Sequence, residues 1–239
     1  MKVFEVVSLD FGGTLAYEVS DDRLVYREIL SEMGYWVGVE DIDEALRDAR
    51  SWWRAEKRRL GRIWDAKAYR EFVEHVLESL GLPNSTALAL EVARVLPLRT
   101  KFREYDDVRP ALKELRDMGL RLIVVSNVSS LENLTVYLTQ VGLRSSFDLL
   151  IASGTVGFEK PHPEIFRIAS RELDVPLNRI IHVGDDYEAD CLGARAAGLT
   201  GVLLDRRGVY EEGECLRISK LTDLPDLIAQ LQLGEYPAK

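Results

Sequence analysis

Four short stretches carry side chains that could do chemistry. The chain opens on an apolar run, Val3–Leu9, that ends in Asp10-Phe11-Gly12-Gly13-Thr14-Leu15. An Asp that closes a strand ahead of a Gly-rich turn puts a carboxylate at the C-terminal edge of a sheet, where open α/β sheets bind ligands. Ser126 and Asn127 follow Val124-Val125, so a hydroxyl and an amide stand at the end of a second buried strand. Lys160 sits just before Pro161-His162-Pro163, which opens a helix. Asp185, Asp186 and Asp190 follow His182-Val183-Gly184, again beyond a strand. Each residue alone has an ordinary reading: Asp10 could merely end a strand, Ser126-Asn127 form a turn, and Lys160 be solvated. Asp186 is read equally well as a carboxylate favoured at a helix N-terminus, and His162 and His182 read as structural. All four stretches fall at strand ends or helix starts, and that shared placement points to a site.

The elements that must position these groups alternate. Strand-like runs occur at Val3–Leu9, Arg121–Ser126, Leu149–Ser153, Ile180–Val183 and Gly201–Leu204, with a further short one at Leu216–Ile218. Most lack polar alternation and are rich in Val, Ile and Leu, as parallel strands buried on both faces are. Helical segments lie between them. Pro110 and Gly119 bracket Ala111–Met118, Ser129 or Ser130 caps a helix through Val141, and Pro163–Leu173, Tyr187–Ala197 and Pro225–Leu233 follow. Alternating strand and helix predicts a doubly wound, Rossmann-like parallel sheet. Residues 17–104 read differently: helical spacing at Asp22–Met33, Asp41–Leu60, Ala66–Leu80 and Ser85–Leu96, broken at Gly34, Gly38, Gly61, Gly81 and Pro97, and no convincing strand. The expected organisation is an α/β core of residues 1–16 and 105–239 with an all-helical cap, 17–104, inserted after the first strand. That insertion holds Trp36, Trp52, Trp53 and Trp64, read mainly as bundle packing and otherwise as lining for a pocket facing Asp10.

Composition narrows the function classes. A net charge of −9 over 239 residues disfavours general affinity for nucleic acid or anionic membrane. No apolar run is long enough to span a bilayer, and the short N-terminal apolar stretch, carrying Glu5, makes a poor secretory signal. With only Cys191 and Cys215 in the chain, no disulfide framework is expected and the compartment is read as cytoplasmic.

In order and spacing, Asp10-Phe11-Gly12-Gly13-Thr14-Leu15, Ser126-Asn127, Lys160 and Asp185-Asp186 through Asp190 resemble the four motifs of the haloacid dehalogenase-like (HAD) superfamily, and the helical insertion stands where that family carries a type 1 cap. The resemblance implies Asp10 as covalent nucleophile, Ser126 with Asn127 and Lys160 as phosphoryl-binding groups, and Ser126 and Lys160 as catalytic partners. It implies Mg²⁺ held by Asp10, Asp185 and the main-chain carbonyl of Gly12, with Asp186 and Asp190 in support. An Asp nucleophile facing a phosphoryl group needs cations and hydrogen-bond donors fixed around it, and Mg²⁺ takes a few carboxylates plus waters and substrate oxygens. The family's phosphatases carry a second Asp as general acid/base where this chain has Gly12. The implied function is a Mg²⁺-dependent phosphatase acting on a small phosphorylated molecule. A 2-haloacid dehalogenase is the alternative, since halide leaves without a proton. Asp185 and the absence of the dehalogenase Tyr, with Phe166 in its vicinity, argue against it. A phosphonoacetaldehyde hydrolase would need a cap lysine, for which only Lys57 and Lys67 offer themselves. The third reading is a regulatory or binding protein that keeps the fold without turnover.

Overall fold

The structure, a computed structural model, describes residues 4–210 and 213–234. Val3, where the first strand was expected to begin, lies outside them. In chain order, strand β1 (Val6–Leu9) is followed by β2 (Ala16–Glu18) and four helices: α1 (Asp22–Glu32), α2 (Val39–Leu60), α3 (Ala66–Ser79) and α4 (Ser85–Arg99). Then come β3 (Phe102–Glu104), α5 (Val108–Asp117), β4 (Arg121–Ser126), α6 (Leu131–Gln140), β5 (Leu149–Ala152) and a single turn, α7 (Ser153–Val156). The chain continues through α8 (Pro163–Leu173), β6 (Ile180–Gly184), a wide helical turn (Tyr187–Leu192), α9 (Gly193–Ala197), β7 (Thr200–Leu204), β8 (Leu216–Ile218) and α10 (Leu224–Leu233).

Six strands form one parallel sheet in the order β5-β4-β1-β6-β7-β8. The chain turns back at β1, which pairs with β4 on one side and β6 on the other. Such a switch point opens a crevice beyond the carboxyl ends of the strands. Alternate residues of each strand feed different cores. Val7, Leu9, Leu122 and Val124 join the cluster that also holds α5 and α10 residues. Val6, Ile123 and Val125 join the cluster with Ile165, Phe166 and Ala194 from α8 and α9. The doubly wound α/β layer and the helical insertion, α1–α4, are as expected. The insertion has its own apolar centre, in which Ile29, Ile42, Leu77 and Val92 are buried together.

Three local expectations are corrected. Strands do occur at the margins of the insertion: β2 and β3 pair antiparallel, with Ala16 opposite Glu104 and Glu18 opposite Phe102, closing the loop at its root. Pro97 does not end α4, which runs to Arg99. In the final turn the missing N–H removes a single helical bond, and Gln140 Nε2 donates to the Pro97 carbonyl at 3.0 Å. Pro110 is the third residue of α5, which begins at Val108, still within the first turn where an N–H lacks a helical partner.

Cys191 and Cys215 form a disulfide across a sequence separation of 24, contrary to the expectation of none. Cys191, in the wide helical turn, lies against Gly201 of β7, and Cys215 stands just ahead of β8, which pairs with β7; their Cα atoms are 6.2 Å apart, within bridging range. Cysteine usage therefore no longer argues for a reducing compartment. Among the described residues no helix is long and apolar enough to cross a membrane.

Candidate active site

Asp10 lies one residue beyond β1, Ser126 ends β4, and Asp185 lies one residue beyond β6, so three neighbouring strands deliver side chains to one edge. Ser126 Oγ donates to Asp10 Oδ1 at 2.8 Å and Lys160 Nζ to the same oxygen at 2.6 Å. Both donors fall on Oδ1, leaving Oδ2 without a donor among the described residues. Lys160 is 5% exposed, and its ammonium also meets Asp190 Oδ1 at 2.6 Å. Asp190 is held from both sides: Oδ1 meets His182 Nε2 at 3.1 Å, and Oδ2 accepts the Asp186 N–H at 3.0 Å. An ionised carboxylate only accepts, so Nε2 carries the hydrogen and Nδ1 accepts from Ser8 Oγ at 2.8 Å. Ser8–His182–Asp190–Lys160–Asp10 is thus one buried chain of contacts running under the sheet edge.

The pKa pattern follows from three carboxylates around one ammonium. Burial pushes Asp10 up against the pull of Lys160, with Asp190 adding to the rise. Burial also pushes Asp185 up, and the charges of Asp10 and Asp190 help to raise it to about 6. Burial opposes ionisation of Asp190 too, but Lys160 and His182 outweigh it and hold Asp190 well below the usual carboxylate range. For Lys160, burial is outweighed by Asp10 and Asp190, so it stays charged. His182 is pushed down by burial and stays neutral.

Oxygens of Asp10, Asp185 and Asp190 lie within 4.8 Å of one another. Three carboxylates with one cation among them leave a negative excess, and hard oxygens at that spacing suit Mg²⁺. Both oxygens of Asp190 are already engaged, so Asp10 and Asp185 are the freer ligands. Among side chains of the described residues, only Thr14 Oγ1 donates to the Asp185 carboxylate, at 3.4 Å. The approach depends on glycine at two points. A Cβ on Gly13, whose φ is +76°, would lie 2.2 Å from Asp185 Oδ2, and one on Gly184 would lie 2.0 Å from Asp190 Cγ.

The remaining predicted residues sort by their contacts. Asn127 lines the cavity, but its side chain is committed to the Lys160 main chain, donating to the carbonyl at 2.9 Å and accepting from the N–H at 2.8 Å. It holds Lys160 in place. Asp186 caps the wide turn, its Oδ1 accepting from the N–H groups of Glu188 and Ala189. Gly12 lines the same cavity of about 380 Å³ as Asp10, Lys160 and Asp185. His162 caps α8 by accepting from the Glu164 N–H. Lys57 pairs with Glu159 at 2.5 Å and Lys67 with Glu71 at 3.6 Å, so neither cap lysine is engaged with Asp10.

Several contributors have no part in the site as read from sequence, where His182 reads as structural. Ser8 and His182 are polar residues inside apolar strands, and they face each other in the β1–β6 register. A buried polar group needs a partner, and that was the signal. Arg206 gave none. Its guanidinium donates to the carbonyls of Gly13 and Thr14, pairs with Asp107 at 2.9 Å and stacks 3.8 Å over the Tyr105 ring. It thereby clamps the turn that follows Asp10. Glu159 ties insertion to core, accepting from the Trp64 N–H at 2.5 Å besides pairing with Lys57.

Comparison with known proteins identifies the family. The family model described as haloacid dehalogenase-like hydrolase matches residues 4–198. The chain is 33% identical over 207 residues to the haloacid dehalogenase-like hydrolase domain-containing protein 3 of Mus musculus, covering 80% of each protein. It is 36% identical over 118 residues to the glyceraldehyde 3-phosphate phosphatase of Methanopyrus kandleri, a match spanning 48% of this chain and 50% of that one. Its fold superposes on the crystal structure of a 2-haloacid dehalogenase from Pseudomonas syringae pv. Tomato DC3000 with a TM-score of 0.73 at 23% identity, covering 96% and 100% of the two chains. A carboxylate at the switch point, its lysine and serine donors, the acidic cluster beside it and the helical insertion after the first strand together identify this chain as a member of the haloacid dehalogenase-like hydrolases.

Proposed function

We propose that the protein is a Mg²⁺-dependent phosphatase that acts on a small phosphorylated molecule through a covalent aspartyl phosphate on Asp10. The observation that carries this reading is the placement of Asp10: one oxygen takes both Ser126 and Lys160, while the other is left to the cavity shared with Asp185. Residues 1–16 and 105–239 act as the catalytic core and 17–104 as the cap that selects the substrate.

Asp10 Oδ2 attacks phosphorus, and the bond from phosphorus to the leaving oxygen breaks. Lys160 stays charged throughout, because Asp190 holds its ammonium as well as Asp10 does. It balances Asp10 before attack and the phosphoryl oxygens afterwards. Ser126 Oγ orients Asp10 and lies within reach of a phosphoryl oxygen. Asp10, Asp185 and the Gly12 carbonyl would hold Mg²⁺, which when bound supplies positive charge to the phosphoryl oxygens. Such preorganised charge is the main source of rate in phosphoryl transfer. Water then hydrolyses the aspartyl phosphate and frees Asp10.

Gly12 offers no side chain to protonate the leaving group or to activate that water. A general acid or base contributes about 10²–10⁴-fold, so turnover favours leaving groups that carry their own charge. One relative's name bears on substrate class, the glyceraldehyde 3-phosphate phosphatase of Methanopyrus kandleri; the dehalogenase likeness, at 23% identity, speaks for fold alone. The test is a panel of phosphate esters, acyl phosphates and 2-haloacids, with and without Mg²⁺, with Asp10→Asn as the blank. Mg²⁺-dependent phosphate release lost in the variant is expected. Halide release exceeding any phosphate release would assign the chain to the dehalogenases.

A further inference from the structure

Resting on that reading, we infer that the substrate is an aryl phosphomonoester whose ring sits in an aromatic slot between the helical insertion and the core. The slot is a second cavity of about 380 Å³. Tyr26, Trp53, Trp64, Tyr69 and Phe72 line its insertion side, and Phe102 and Tyr137 line its core side. The last two also line the Asp10 cavity, so the cavities share a wall. A run of ring contacts joins them: Phe11, the neighbour of Asp10, lies 5.1 Å from Phe102, which lies 4.7 Å from Tyr137. On the other side Trp64 meets Trp53 at 5.0 Å and Phe72 at 5.5 Å, both edge to face. These rings border an open space whose lining also includes Glu18, Asp22 and Arg50. A flat ring entering at such spacings gains edge or offset contacts beyond its area burial, and rigid aromatic walls lose little freedom on binding it.

Gly12 points to the same class by a separate route. An aryl oxygen leaves as a stabilised phenolate. The phosphorus–oxygen bond breaks, the electron pair goes to the phenolate oxygen, and the proton it takes up comes later from solvent, so no acid is needed at Gly12. An alkoxide leaving group would need one. Water hydrolysis of the Asp10 adduct then gives inorganic phosphate and completes the balance.

The slot is tested without turnover by calorimetry in Mg²⁺ with benzylphosphonate, a non-hydrolysable stand-in for phenyl phosphate, against methylphosphonate. Benzylphosphonate is expected to bind at least tenfold more tightly, and Trp53→Ala or Trp64→Leu, folded by circular dichroism, should shrink that ratio. Equal affinities in the wild-type protein, which need no variant, overturn the inference. So does a ratio indifferent to both substitutions. Acetyl phosphate, which has no ring, separates this from the catalytic reading. If it phosphorylates Asp10 while the two phosphonates bind alike, the reaction stands and the slot falls. If benzylphosphonate binds selectively but acetyl phosphate never labels Asp10, the slot stands and the reaction falls.

Discussion

Replacing Gly12 by Asp should convert a slow, leaving-group-limited enzyme into a faster and less selective one. The substitution is compatible with the backbone. A Cβ at Gly12 meets nothing within 4 Å, and Gly12 is absent from the positive-φ residues, unlike its neighbour Gly13 at 76°. Losing a glycine also narrows the unfolded ensemble, which favours folding by about 0.4–1 kcal/mol where the new residue fits. The cost is electrostatic, because a fourth carboxylate joins Asp10, Asp185 and Asp190 around Lys160 alone. Wild type and variant must therefore be compared with Mg²⁺ present. A general base at that position should speed hydrolysis of the aspartyl phosphate by about 10²–10⁴-fold, a barrier reduction of about 3–5 kcal/mol. Rapid quench with radiolabelled acetyl phosphate, followed by an unlabelled chase, reads the lifetime of the adduct directly. In the wild-type protein the adduct should accumulate, giving a product burst and then slow turnover. In Gly12→Asp the burst should vanish. A folded, Mg²⁺-binding variant with an unchanged adduct lifetime would refute the reasoning and locate the proton route elsewhere.

Two further outcomes are expected. Mg²⁺ affinity should fall in Asp185→Ala by calorimetry, and in wild type it should weaken as pH drops below about 6. There a proton occupies the raised Asp185 carboxyl and competes with the ion; affinity that stays flat from pH 5 to pH 8 removes Asp185 from the metal site. Reducing the disulfide between Cys191 and Cys215 frees a loop with a sequence separation of 24 and should cost about 3 kcal/mol of stability by the chain-entropy argument. Denaturant midpoints with and without reductant measure it, and coincident midpoints count against the bridge as a stabiliser.

The α/β layer was legible because its strands are short, mostly apolar runs rich in Val, Ile and Leu. Arg121–Ser126 and Leu216–Ile218 match the observed β4 and β8 to the residue. The groups around Asp10 were legible because they sit where strands end. β2 and β3 were not. Each is three residues long, mixes charged with apolar residues, and exists only because residues far apart in sequence meet at the root of the insertion. The disulfide was missed for a related reason: two cysteines alone suggested no disulfide framework, and only the packing of the wide helical turn on β7, beside β8, brings Cys191 and Cys215 together. The tryptophans split. Trp53 and Trp64 line the slot beside the Asp10 cavity, whereas Trp36 is 86% exposed and packs no bundle interior. Helical periodicity shows that a face is apolar; whether that face closes on a core or frames a cavity depends on helices distant in sequence.

The central claim is that Asp10 becomes phosphorylated. Peptide mass spectrometry of protein quenched in acid after brief exposure to acetyl phosphate and Mg²⁺ tests it most directly. A phosphoryl group is expected on the peptide carrying Asp10, absent without Mg²⁺ and absent in Asp10→Asn. Steady phosphate release with no adduct on that peptide, or undiminished release from Asp10→Asn, would contradict it.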